Sequence, residues 1–310
     1  MREGHRFQKS SGDAAFALVT VLLFLLIVTA VITPLVLAAR TEFTIDSRNH
    51  LSVRQEILAR GLAQVIARRI ALRVSEPLAP LTMDSTVFET QCGPYQIMVV
   101  AQDQAGLVDL NVSAEPLVAA GVEAMGLPVT QARNLAEAIV SFRTPSSGPG
   151  SAPGEALATF GMKHGPYEGI EEIYELDGIS GIAFERLLMT VTIHNGLPIV
   201  DPTAYSAPLA AVLPSAPSNR FPYVSDKDLI LQTASILVQV KDGRSSARAL
   251  WGGYFDFTAD TNRFTLKESI ADPATIGLAP VPLAGFEDYE KVTCAGLFGA
   301  GVADQLEVAP

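Results

Sequence analysis

Residues 14–39 read AAFALVTVLLFLLIVTAVITPLVLAA, and this stretch decides how the rest of the chain is read. Its 26 positions hold no charged residue. As a helix rising ~1.5 Å per residue it would be about 39 Å long, more than the ~30 Å hydrocarbon core of a bilayer. Thr20, Thr29 and Thr33 can bond back to helix carbonyls, and Pro34 introduces a kink that neighbouring helices can absorb. A cleaved secretory signal has an apolar core of only ~7–15 residues before a small-residue cleavage site. This run is too long for that, and Leu37-Ala38-Ala39 is a weak site, so a retained transmembrane helix over 13–40 is expected. Arg2, Arg6 and Lys9 precede it while Arg40, Arg48 and Arg54 follow, so positive charge alone does not fix its orientation.

Working outward, Arg40 to Val74 contains no Pro and a single Gly, Gly61. Leu58, Leu62, Val65, Ile66 and Ile70 recur at steps of three and four, the mark of one apolar helix face. Arg54, Arg60, Arg68 and Arg69 supply the polar faces. The apolar and amphipathic halves therefore read as one helix of roughly 60 residues, ended by Pro77 and Pro80. An amphipathic stripe needs a surface to bury against, and a following sheet would serve.

The 310-residue chain has a net charge of −11; its first 40 residues hold four basic and two acidic side chains, leaving about −13 on the remainder. A phosphate-binding surface needs clustered Lys and Arg, so no nucleic-acid partner is expected. The two cysteines, Cys92 and Cys294, are either a disulfide, if the domain is exported, or two separate buried thiols.

Tyr95 to Ala101 (YQIMVVA), after Gly93-Pro94, reads as a strand. From about Val108 to Pro214 short helices are expected. Asp109-Leu-Asn-Val-Ser-Ala-Glu-Pro-Leu and Asp201-Pro-Thr-Ala-Tyr-Ser-Ala-Pro-Leu form a weak internal repeat. Each reads as a side-chain-capped turn followed by a short helix with Pro in its first turn; a metal or ligand loop is the rival reading. Thr130 can cap a helix through Phe142. A Pro/Gly/Ser loop follows from Pro145, and a helix with Ile170, Ile173 and Tyr174 ends at Gly178. A second helix is expected from near Ser180 to Met189, making a helix-hairpin-like turn around Gly178, Ile179 and Gly181. Ser235 to Lys241, the Asp242-Gly243 turn and Ala247 to Phe257 read as a hairpin. The tail from Leu283 is rich in Gly and Ala and gives no pattern beyond Cys294.

A short basic leader, an apolar stretch and an amphipathic half-helix resemble the N-terminus of type IV pilins and pseudopilins. In that family a prepilin peptidase removes the leader. Two cuts fit: between Gly12 and Asp13, which makes Pro34 the twenty-second mature residue, or between Ala15 and Phe16. Neither places a Glu at the fifth mature position, occupied by Ala17 or Thr20, a departure from major pilins that matches the K-type minor pseudopilin. Further along, Asp109-Leu110-Asn111, Ser141-Phe142-Arg143-Thr144, Gly169 to Ile173, Leu176 to Ile179, Phe184 to Leu187 and Asp201 to Ala204 keep that family's motif order across about 110 residues. The chain thus resembles the type II secretion minor pseudopilin K family (general secretion pathway protein K).

The resemblance implies an α+β fold: a long N-terminal transmembrane and amphipathic helix packed on a pilin-like antiparallel sheet, with a large helical insertion. The expected parts are a leader over 1–12 (or to 15), the transmembrane helix over 13–40, amphipathic helix and first strands over 41–107, insertion over 108–225, and resumed sheet with tail over 226–310. It also implies a structural subunit at a pseudopilus tip and an inner-membrane anchor with the large domain in the periplasm. Partners would be other minor pseudopilins, the major pseudopilin and a prepilin peptidase, with N-terminal methylation. Calcium belongs to the family's acidic loop. Here that loop offers only Glu155, against the six to eight oxygen ligands calcium takes, so no cofactor is expected.

Enzyme chemistry is not signalled. There is no Walker-type phosphate loop, HExxH or GxSxG, and His5, His50, His164 and His194 lack ligand spacing. No catalytic residue is named. Two other readings stay open: a minor pilin of another pilus-like assembly, and a membrane-anchored helix-hairpin-helix nucleic-acid binder, which Glu175, Asp177 and Glu185 beside the turn disfavour.

Overall fold

The computed structural model describes residues 11–72, 81–144, 164–179, 181–244, 248–258, 263–270 and 289–308. Within the first helix it describes the side chains of 19–34, 36 and 52–71. The leader to residue 10, Pro77, Pro80, Glu155 with its loop, and Ser180 lie outside the described residues. Two compact units divide the chain, Met1–Val53 and Arg54–Pro310. Helix α1, Ser11–Ala71, is 61 residues long and contains Pro34.

In the second unit the helical period places Ala59, Leu62, Ala63, Ile66, Ala67 and Ile70 on one side of α1, and all are buried. Ala59, Ala63 and Ala67 form a row of small residues four apart that lets the helix lie close on its partner surface. Leu62, Ile66 and Ile70 flank that row, each worth about 1.5–3 kcal/mol on full burial.

The partner surface is a six-stranded sheet. Its strands are β1 (Asp84–Cys92), β2 (Tyr95–Asp103), β5 (Thr233–Asp242), β6 (Arg248–Thr258), β7 (Arg263–Ser269) and β8 (Tyr289–Lys291). They lie in the order β7-β6-β5-β2-β1-β8. Strand alternation aims Ile97, Val99 and Ala101 of β2, and Ile236, Val238 and Val240 of β5, at α1. Met98, Val100 and Leu237 point to the opposite face, where they meet Val87, Leu188, Leu250 and Ile270. The sheet departs from the all-antiparallel expectation at one edge: β8 runs parallel to β1, pairing Val87 with Tyr289. The tail that gave no pattern in sequence forms that strand and helices α6 (Cys294–Phe298) and α7 (Ala300–Glu307). Leu297, Phe298, Ala303 and Leu306 complete the core under α1.

Asp103, the last residue of β2, pairs with Ala234 at the start of β5. Everything between leaves and re-enters the sheet at neighbouring points. This excursion has Leu107, Leu110, Leu213 and Val224 in its core. It contains the short parallel pair β3 (Val108–Asp109) and β4 (Val191–Thr192). Its helices are α2 (Glu115–Ala124), α3 (Val129–Arg143), α4 (Phe184–Thr190) and α5 (Ala207–Ala210). Several expected boundaries move. Pro128, not Thr130, precedes the first residue of α3, its fixed φ suiting the entry to a helix. Ile170–Glu175 forms a 3-10 turn that stops before Gly178. The next helix starts at Phe184 rather than near Ser180, after Gly178 and Gly181 take φ of 95° and 114°.

The seam between sheet and insertion is tight. The Asp201 N–H donates to the Ala105 carbonyl at 2.8 Å, and the Gln102 side chain donates to the Ala204 carbonyl at 2.8 Å. Gly106 sits where a Cβ would lie 2.0 Å from that same Ala204 carbonyl oxygen. The Gly106→Ala variant is expected to lose about 1–3 kcal/mol of stability through backbone displacement at the seam, measured by denaturant unfolding.

Candidate functional site

The motif segments singled out in sequence converge inside the insertion. Asp109, 1% exposed, accepts from the Asn111 amide at 2.7 Å, the Val112 amide at 3.2 Å and the Gly196 amide at 2.8 Å. The Asn111 side chain bonds both backbone groups of Tyr167, accepting from its N–H at 2.7 Å and donating to its carbonyl at 3.0 Å. Arg143 donates to the Leu110 carbonyl at 2.5 Å and to the Ser113 carbonyl. Burial holds Arg143 below its ordinary pKa while Asp109 works the other way. The Phe142 and Tyr167 rings stack at 4.7 Å. So Asp109-Leu110-Asn111 and Ser141-Phe142-Arg143-Thr144 are two halves of one clasp.

Asp201 repeats the device. It accepts from the Thr203 amide at 2.9 Å and hydroxyl at 2.7 Å, and from the Leu229 amide at 2.7 Å. Both repeat aspartates therefore bind backbone donors, the turn-capping arrangement. Among the described residues no three His, Cys, Asp or Glu side chains gather in a way that could hold a metal ion.

At the hairpin-like turn Ile179 is fully buried in the helical core, while a Cβ on Gly178 or Gly181 would meet nothing within 4 Å. The glycines answer to backbone angle rather than to close packing. Cys92 and Cys294 form a disulfide, Cα atoms 5.3 Å apart, tying β1 to α6 across 202 residues. Gly12, Asp13, Ala15 and Phe16 fall in the first turns of α1, and their side chains lie outside the described residues.

A cluster without a sequence signal sits where insertion meets sheet. His194 follows β4, Tyr254 lies on β6 and Glu268 on β7; 60 and 14 residues separate them, and only the folded sheet brings them together. The His194 and Tyr254 rings are 4.0 Å apart, and His194 Nε2 is 3.7 Å from a Glu268 carboxylate oxygen. The cavity beside them is about 40 Å³, room for a water or two rather than an organic substrate. Burial pushes the His194 pKa down to about 4; Lys267 lowers it further and Asp256 opposes. The half-exposed Glu268 carboxylate is screened by solvent and does not reverse this.

In the first unit, Val19, Val21, Leu22, Leu23, Phe24, Leu25, Leu26 and Ile27 are exposed, so every side of the helix there is apolar. The Thr29 and Thr33 hydroxyls donate to Leu25 and Thr29 carbonyls, each at 2.7 Å. Among the described residues no helix is long and apolar enough to cross a membrane.

No family model and no curated protein matches the chain. Among solved structures, one chain of the GspK-GspI-GspJ complex of the enterotoxigenic Escherichia coli type 2 secretion system is similar. The match covers 73% of this chain and 99% of that one, at 13% identity and a TM-score of 0.48.

Two outcomes follow from this geometry. Asn111→Ala leaves the Tyr167 N–H and carbonyl without their partner and is expected to cost about 1–3 kcal/mol in denaturant unfolding. For His194, the folded-state pKa of about 4 lies below the ordinary 6.5, so the unfolded chain binds the proton more readily between those values. That contribution is complete above about pH 6.5 and is lost as pH falls toward 4. The thermal midpoint should drop over that window, and the drop should be smaller in His194→Gln.

Proposed function

We propose that the chain is a membrane-anchored minor pseudopilin, a structural subunit at the tip of a type II secretion pseudopilus rather than an enzyme. The observation that carries this reading is the division of labour along α1. One half shows Leu, Val, Ile and Phe on every side, and such a surface is stable only in lipid or among other apolar helices. The other half buries a single stripe against a sheet. A helical excursion between two adjacent strands then enlarges the domain, and its clasp is built from the motif segments that resemble the K-type family.

On this reading the stretch over 13–40 anchors the chain in the inner membrane with the large domain in the periplasm, where the Cys92–Cys294 disulfide persists. Its partners are the other minor pseudopilins, the major pseudopilin and a prepilin peptidase, which exposes an N-terminus open to methylation. On this reading no cofactor is carried over: the family's calcium loop keeps only Glu155 here, and Arg143 of the preceding segment is engaged with the Leu110 and Ser113 carbonyls.

The test is processing and assembly of the full-length chain. Produced with a prepilin peptidase, it should lose its leader and yield a membrane-bound product beginning at Asp13 or Phe16 by intact mass. It should also co-purify with other minor pseudopilins produced in the same cells. A product beginning at Met1 that purifies alone from the soluble fraction would sink the proposal.

A further inference from the structure

We infer that Asn195 is a latent site of spontaneous deamidation, held closed in the folded chain by the Asp109 carboxylate and opened when the insertion loosens there. This goes beyond the assembly reading and does not rest on it. Among the chain's six asparagines only Asn195 is followed by glycine. Glycine has no side chain to hinder ring closure on the preceding residue. In that reaction the Gly196 nitrogen attacks Asn195 Cγ and a new C–N bond forms. The bond from Cγ to Nδ2 breaks, and ammonia leaves with the proton that the backbone amide gives up. Water then opens the succinimide at either carbonyl, leaving aspartate or isoaspartate. Water is the one co-reactant.

The fold restrains each participant. The nucleophile is occupied, because the Gly196 N–H donates to Asp109 Oδ2 at 2.8 Å. A carboxylate there opposes loss of the amide proton, since the nitrogen anion would face a like charge. The leaving group is pinned: Asn195 Nδ2 donates to the Leu107 carbonyl at 3.1 Å and to the Ile199 carbonyl at 3.2 Å. Asn195 is 8% exposed, whereas Gly196 beside it is exposed, so water stands next to the reacting groups. Residues 193–199 belong to no helix or strand, so a local opening, short of global unfolding, frees Asn195.

Closure is not restored afterwards. Either product replaces the Nδ2 donor with a carboxylate oxygen facing the Leu107 and Ile199 carbonyls, in a buried position beside Asp109. Asn195 thus acts as a one-way marker of opening at the clasp.

The experiment incubates the full-length chain in detergent micelles at neutral pH, folded or in denaturant. Conversion of Asn195 is followed by peptide mass mapping with isoaspartate detection. The folded chain is expected to convert at least tenfold more slowly than the denatured one. Gly196→Ala should slow conversion in denaturant at least tenfold, which identifies the ring-closing chemistry. Asp109→Asn keeps an acceptor for the Asn111 and Val112 amides but removes the charge, and should raise the folded rate at least tenfold. Ile66→Ala, in the core under α1 and outside the insertion, lowers the stability of the whole unit and should leave the folded rate within about twofold. Asn195→Asp should unfold at a lower midpoint than the parent chain. Equal rates folded and denatured, or no slowing by Gly196→Ala, overturn the site. An unchanged folded rate in Asp109→Asn, or equal acceleration by Ile66→Ala, overturns the gate. An unchanged midpoint in Asn195→Asp overturns the one-way marking. Should Asp109→Asn not fold, the Ile66→Ala comparison decides the gate alone.

Discussion

The second unit depends on one constraint: the central strands β2 and β5 are buried on both faces. Phe88, Ile97, Val238 and Phe255 are fully covered on the face that takes α1. On the other, Val87, Met98, Val100 and Leu237 need a cover as well. Leu188 of α4 and Ile270 provide it, so the helical excursion is part of how the sheet is kept dry. Stripped of it, the sheet would present contiguous apolar side chains to water, the condition that drives association.

Connecting such an excursion without opening the sheet is a problem of backbone polarity. The chain exits at Asp103 and returns at Thr233, and the crossing segments between must satisfy buried N–H and carbonyl groups without strand partners. Short carboxylates solve this repeatedly. Asp103 accepts from the Ala105 amide at 2.9 Å, and Asp109 and Asp201 each bind one amide two residues on and another far along the chain, at Gly196 and Leu229. Aspartate suits this because its reach matches a turn of its own backbone, where a longer glutamate would not close the same ring. Gly106 then lets the two crossing segments touch backbone to backbone. The weak repeat in the sequence is the trace of two such staples.

What was legible in sequence follows from periodicity. The amphipathic stripe of α1 and the strands around Ile97 and Val238 carry their own local signal, as do Pro116 and Pro208 in the first turns of their helices. Strands β1 and β7 were not legible. Asp84–Cys92 mixes polar and apolar residues, and Arg263–Ser269 is an exposed edge whose sequence follows solvent rather than core. The last helices were masked by Gly and Ala, although Thr293, which accepts from the Gly296 amide at 3.1 Å, is an ordinary start signal. Of the candidate residues, Asp109 and Asp201 were found through their turns. The pairing of Asn111 with Tyr167, and of His194 with Tyr254, depends on contacts 56 and 60 residues apart that no local pattern encodes.

Charge is distributed against the grain of the composition. The chain carries −11, yet between 54 and 72 four arginines face a single glutamate. Helix propensity does not demand this, since glutamate serves a helix surface about as well as arginine. Nor does packing on the sheet, which uses the alanine row and its aliphatic neighbours. One arginine, Arg69, is spent inside the molecule on the Gly296 carbonyl, holding α1 to the C-terminal helices. Arg54, Arg60 and Arg68 make no ion pair among the described residues. Among the described residues, then, the packing of α1 on its sheet accounts for the alanine row and for Arg69, and leaves Gly61 and the remaining arginines to the helix's exposed side.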